Sequence, residues 1–315
     1  MTQIYATPQA FDKAIKQRAK LLAEQQGADV GMILRNYFFD RLTARIFHDD
    51  PDGWLLKGGQ ALLVRYPRGA RFSRDIDLQR PTENVEEALS ALRRAAALDL
   101  GDFFVFTPAA TREHADEAGG ARQAFTIALG ARDMGTLTVD VVAGRHPVGT
   151  PEVVDLTPGI PLLWPDDWPR IQLYPLVDHL ADKICAMYEH RRGIASTRFR
   201  DLADILLVSQ RERLDGAAVR LALSTEVRRR IALGTDVRLP ARFTVPDPGW
   251  RLGYPKAAQE VIGLQGCRSL AEAQAAADAF LTPLLSGPPP GTWQPGAARW
   301  VTPPPARPAE GSPVA

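Results

Sequence analysis

Two cysteines, Cys185 and Cys267, are all that this chain of 315 residues carries. That number excludes a disulfide framework, and their spacing matches no metal-binding cluster, so Cys185 reads as a small apolar residue on its helix. A bias of charge is missing too: 38 Lys and Arg stand against 37 Asp and Glu, a net charge of +1. No stretch is long and apolar enough to span a bilayer. The first 27 residues have the charged, amphipathic look of a helix, with Thr7 as its cap and Pro8 at its first position, and they lack the apolar centre of a signal peptide. The expected location is the cytoplasm. His114 and His146 fall in or beside loops, without a partner at metal-ligand spacing, and read as structural or solvated. There is no internal repeat.

Apolar residues make up 45% of the sequence, enough for a substantial core. The pattern along the chain is α+β. Two helices (about 9–26 and 30–48) precede a strand at 54–57, a short helix at 60–66 and a strand through Asp75 and Asp77. A helix at 84–97, a strand near 103–106 and an antiparallel-looking pair at 122–130 and 135–143 complete a first domain, 1–146. After a loop rich in proline and acids comes a mainly helical second domain, 147–286, with helices at 175–192, 197–209, 215–232, 256–264 and 269–285. The Pro- and Gly-rich segment 239–254 reads as a loop. The tail 287–315 holds so many prolines that it reads as disordered, with Trp293 and Trp300 unassigned.

The most informative segment is Lys57-Gly58-Gly59, followed by Arg71-Phe72-Ser73-Arg74-Asp75-Ile76-Asp77. Alternate side chains of a strand share a face, so Asp75 and Asp77 project together while Ile76 and Leu78 turn into the core. Two converging carboxylates make a poor core and a good place for Mg²⁺, a hard cation usually held by one or two carboxylates plus substrate phosphates. A glycine pair opening a helix lets backbone amides approach a polyphosphate. Taken singly, Asp-x-Asp can be a solvated turn and Gly-Gly a tight connection; their combination points to metal-assisted phosphoryl or nucleotidyl transfer. In Gly135-Thr136-Leu137-Thr138-Val139-Asp140-Val141, apolar and polar residues alternate as in a half-buried strand. Asp140 lies on its polar face, able to act as a third carboxylate or simply to be an exposed strand residue.

These residues resemble the nucleotidyltransferase superfamily, and the second half narrows the likeness. Asp182-Lys183, followed by Arg198-Phe199-Arg200-Asp201 and Asp204, is similar to the downstream motifs of the AbiEii/AbiGii toxin family, which includes the MenT toxins. The resemblance covers roughly residues 10–285. It implies a nucleotidyltransferase-like mixed sheet with flanking helices, and a toxin that moves NMP from an NTP to an acceptor, for some members the 3′ end of tRNA. Mg²⁺ as cofactor, one ion or two with Mn²⁺ able to substitute, and a cognate antitoxin are implied as well. The implied roles are catalysis for Asp75, Asp77, Lys183 and Asp204, nucleotide binding for Lys57, Gly58, Gly59, Ser73, Arg74 and Asp201, and metal binding for Asp75, Asp77 and Asp140.

Helical spacing places Lys183 beside the apolar stripe Leu176, Leu180, Ile184 and Met187. Its stem can pack while its ammonium snorkels to water, or, as the resemblance implies, the ammonium can neutralise a triphosphate. Asp201 and Asp204 share a helix face and can also serve the helix dipole. Arginines cluster at Arg65, Arg68, Arg71, Arg74 and Arg80, and again at Arg191, Arg192, Arg198 and Arg200, as suits phosphate binding. A protein or small-molecule acceptor, or a nucleotide-binding regulator without turnover, remains an alternative.

Overall fold

The computed structural model describes residues 4–82, 84–114, 119–190 and 193–302. Helices α1 (Pro8–Gln26) and α2 (Val30–Asp49) come first, α1 capped by the Thr7 hydroxyl and ended by Gly27 in a left-handed conformation. Strand β1 (Leu55–Lys57) runs directly into α3 (Gly58–Arg65), and β2 (Ile76–Arg80) precedes α4 (Val85–Ala96). Then follow β3 (Phe104–Glu113), β4 (Gly120–Leu129), β5 (Arg132–Ala143), β6 (Glu152–Asp155) and β7 (Arg170–Leu173). Together these form a mixed seven-stranded sheet in the order β3-β4-β5-β2-β1-β7-β6. The β2–β5 and β1–β7 pairs are parallel and the others antiparallel.

Strand alternation divides the sheet into two chemically different faces. Leu56, Ile76, Leu78, Val139 and Val141 are fully buried on one face, in a core shared with Phe39 and Leu42 of α2 and Leu89 and Leu92 of α4. The opposite face carries the intervening polar residues, toward the second half of the chain. There α5 (Leu176–Met187), β8 (Glu189–His190), α6 (Phe199–Arg211), β9 (Leu214–Asp215) and α7 (Gly216–Ala232) are followed by β10 (Asp236–Val237), α8 (Trp250–Glu260) and α9 (Leu270–Leu285). These helices build a second core, which Leu62 and Leu63 of α3 enter; Phe72 packs against both cores. The Arg65–Arg74 segment is fastened to this half: Gly263 N–H donates to Gly69 O at 2.9 Å, and Tyr66 Oη to Glu212 at 2.8 Å.

Two expectations from composition are corrected. The tail is ordered as far as the described residues reach: β11 (Thr292–Gln294) and β12 (Arg299–Val301) form a hairpin, and β11 also pairs with β9. Trp293 is buried, donating its indole N–H to Ser209 O at 2.6 Å, and Trp300 stacks on Phe280. Two large aromatic surfaces outweigh a composition that otherwise favours disorder; residues 303–315 lie outside the described residues. Helix α8 begins at Trp250, earlier than its proline suggests, because Trp250 and Tyr254 are both buried in the second core.

Candidate active site

Gly58 adopts φ +61°, a left-handed conformation that favours glycine. Space forbids a side chain there as well: a Cβ on Gly58 would lie 1.7 Å from Asp77 Oδ2, and one on Gly59 would lie 2.8 Å from Ser73 Oγ. The glycine pair therefore exists to let the first turn of α3 lie directly against Asp77 and Ser73. Ser73 in turn donates to Asp75 O at 2.9 Å. Asp75 sits just ahead of β2 and Asp77 within it, and neither is fully buried. The side chain of Arg74 points outward, while its carbonyl accepts from Arg35 at 3.0 Å.

Register then aligns four charges across four strands. Lys57 of β1 pairs with Asp77 of β2, Asp77 with Asp140 of β5, and Asp140 with Arg122 of β4. The row reads cation, acid, acid, cation. Burial pushes the Asp77 carboxyl up to about 7, with Asp75 and then Asp140 adding like-charge repulsion, against the pull of Lys57 and Lys183. Asp140 is held bidentately by Arg122, at 2.8 and 2.6 Å, and lies 3.2 Å from His114 Nε2. His114 thus touches a site residue, which its expected place in or beside a loop, structural or solvated, does not suggest. Arg122 also reaches to 3.8 Å from Asp75.

Lys57 is itself fixed from the other side. Its ammonium lies 2.9 Å from Asp182 and 4.2 Å from the centre of the Tyr174 ring. Burial alone would raise the Asp182 carboxyl, but Lys57 and then Arg230 outweigh it, and the group stays below the ordinary carboxylate range.

Beside this row runs a buried ladder of charges joining the two halves. Lys183 donates to Asp201 at 2.8 Å and to Asp204 at 2.7 Å. Arg71 grips Asp204 at 3.2 and 3.0 Å, and Arg198 binds the other oxygen of Asp201 at 2.5 Å. Lys183 is 6% exposed, so its ammonium does not snorkel to water. Burial lowers its affinity for a proton, yet Asp201 and Asp204 more than restore it. The same pairing, against the cost of burial, holds both carboxyls below their ordinary range. Arg198 ends the ladder with its side chain 59% exposed, close enough to feel the charge of Asp77. Arg191 and Arg192 lie outside the described residues.

Asp75 and Asp77 fit a divalent cation: their donors are hard oxygens, and a cation beside them would offset the burial and the like-charge repulsion that raise the Asp77 carboxyl. Among the described residues no three His, Cys, Asp or Glu side chains are arranged to share one metal ion, since Asp140 is turned to Arg122. Sequence reasoning missed Arg122, His114 and Asp182. Strand register, once known, finds Arg122, whereas His114 and Asp182 depend on tertiary packing.

Comparison with known proteins gives the family and the fold. The family described as nucleotidyl transferase AbiEii toxin, of type IV toxin–antitoxin systems, matches residues 41–290. No curated protein matches. Among solved structures, MenT4, a nucleotidyltransferase toxin of Mycobacterium tuberculosis, shares the fold with a TM-score of 0.53 at 19% identity, over 81% of this chain and 93% of its own. JHP933 of Helicobacter pylori is more distant, with a TM-score of 0.40 at 16% identity over 77% of this chain and 90% of its own. Among the described residues no helix is long and apolar enough to cross a membrane. With the matched span running from α2 past α9 and taking in both the charge row and the buried ladder, the chain belongs to the AbiEii nucleotidyltransferase toxins of type IV toxin–antitoxin systems.

Proposed function

We propose that this toxin transfers the NMP moiety of an NTP, with Mg²⁺, to the 3′ end of tRNA and thereby blocks translation until a cognate antitoxin intervenes. The observation that carries the reading is the glycine-opened start of α3 lying against Asp77 and Ser73, at the centre of the row Lys57–Asp77–Asp140–Arg122. The α3 amides face anions at this point. Asp75 and Asp77 would hold the cation, which would supply positive charge against the triphosphate and the leaving pyrophosphate. Arg198 offers an exposed guanidinium to the phosphates from the helical half. Lys183, buried between Asp201 and Asp204, positions Arg198 and Arg71 and adds its charge through them. Asp140 and Asp182 orient the cations at the two ends of the row.

The acceptor reading is supported by an exposed arginine from each half beside these groups, Arg74 next to Asp75 and Arg198 on Asp201. A single-stranded RNA end is the form of nucleic acid that a cleft admits most readily. The test incubates purified protein with total tRNA, Mg²⁺ and each labelled NTP. Labelled tRNA, lost when the 3′ ribose is first oxidised with periodate and weakened steeply by salt, is the expected result. Label on protein alone, or on no acceptor, overturns the tRNA reading.

A further inference from the structure

We propose that Arg122 is a displaceable internal counter-ion: in the free protein its guanidinium binds Asp140 and reaches Asp75, and on binding of a metal–nucleotide complex it leaves these carboxylates for the triphosphate. The proposal rests on the nucleotidyltransferase reading and adds a role for a residue outside the family motifs.

The geometry separates a fixed partner from a movable one. The Asp140 side chain is 12% exposed and lies within the sheet, whereas that of Arg122 is 49% exposed at the mouth of the row. Arg122 Nη2 lies 2.6 Å from Asp140 Oδ2 and 3.8 Å from Asp75 Oδ2, so one cationic nitrogen serves an acid on each side. A cross-strand pair that only stabilised β4 against β5 would have no need to lean toward Asp75. A divalent ion held by Asp75 and Asp77 repels a guanidinium at this separation, while a triphosphate offers the planar guanidinium a more highly charged, bidentate partner. His114, on the same Asp140 oxygen that Arg122 Nε contacts, keeps that carboxylate partnered when the arginine moves. The exchange leaves the Asp140 carboxylate with a hydrogen-bond partner before and after nucleotide binding.

Mn²⁺ binding to the full chain, followed by electron paramagnetic resonance without nucleotide, tests this apart from turnover. Arg122→Ala should bind Mn²⁺ more tightly, on the order of tenfold, the scale on which neighbouring groups tune a metal. Adding Asp140→Asn should abolish the gain. Binding of a non-hydrolysable NTP analogue with Mn²⁺ should weaken in Arg122→Ala and be largely kept in Arg122→Lys, whose melting temperature checks that the fold is retained. Unchanged or weaker Mn²⁺ binding in Arg122→Ala, with binding lost in Asp75→Asn, overturns the counter-ion role alone. Undiminished Mn²⁺ binding in Asp75→Asn overturns the reading of the site beneath it.

Discussion

Replacing Asp77 by Asn keeps the shape of the side chain and removes one of the crowded negative charges. In the folded protein the Asp77 carboxyl titrates near 7, against 3.8 for the free group. A raised carboxyl means that the native state binds more protons than the unfolded chain between these values, so stability falls as pH rises through the window. At 1.36 kcal/mol per pH unit the penalty has a ceiling of about 4 kcal/mol, which solvent reaching this incompletely buried group brings down to about 2 kcal/mol. Asp77→Asn should therefore match wild type near pH 4 and exceed it by about that amount at pH 8, a rise of a few degrees in melting temperature. Mg²⁺ should narrow the gap at pH 8 by stabilising wild type and leaving the variant almost unmoved. Thermal melts at pH 4, 6 and 8, with and without Mg²⁺, measure this. A variant less stable than wild type at pH 8, or a difference independent of pH, would refute the account of Asp77 as a carboxylate strained by burial and by its acidic neighbours.

The remaining expectations concern function and the buried ladder. Asp75→Ala and Asp77→Ala should each abolish NMP transfer without unfolding the chain, and full incorporation by either would remove the assigned site. Lys183→Met leaves Asp201 and Asp204 buried beside each other with only their arginines, a loss of about 3–5 kcal/mol; an unshifted urea midpoint would show that the ladder contributes nothing. Gly58→Ala drives a methyl into Asp77 Oδ2, and displacement on the scale of 1 Å should lower transfer about a hundredfold, with circular dichroism as the check that the fold remains. Ser73→Glu sets a third carboxylate against Gly59 and Asp75 and should silence the enzyme; an unchanged rate would show that Ser73 does not face the phosphates.

The parts of this site that could be read from sequence are those in which spacing and geometry are the same thing. Asp75 and Asp77 share a face because a strand alternates, and Asp140 was found by the same rule on β5, where Val139 and Val141 are buried on either side of it. Local chemistry also gives the start of α1 at Thr7-Pro8 and, within a few residues, helices α5, α6, α7 and α9, but not the start of α8. What remained hidden depends on partners distant in sequence. Lys183 has the pattern of a snorkelling lysine until α6 supplies two aspartates to bury it. Asp182 looks like the exposed neighbour of a motif residue, yet it is the acid that fixes Lys57, and no periodicity could bring β1 and α5 together. Arg122 was one polar residue among several on an antiparallel strand; only the register β4-β5-β2-β1 makes it the end of a charge row. The carboxylates therefore mark where the chemistry is, but the cations that set their protonation and direct the phosphates come from strand order and from the docking of the second half. Docking of the helical half and formation of the site are for this reason one event: breaking Arg71–Asp204 or Lys57–Asp182 loosens the contact between the halves and removes charge from the cleft at the same time.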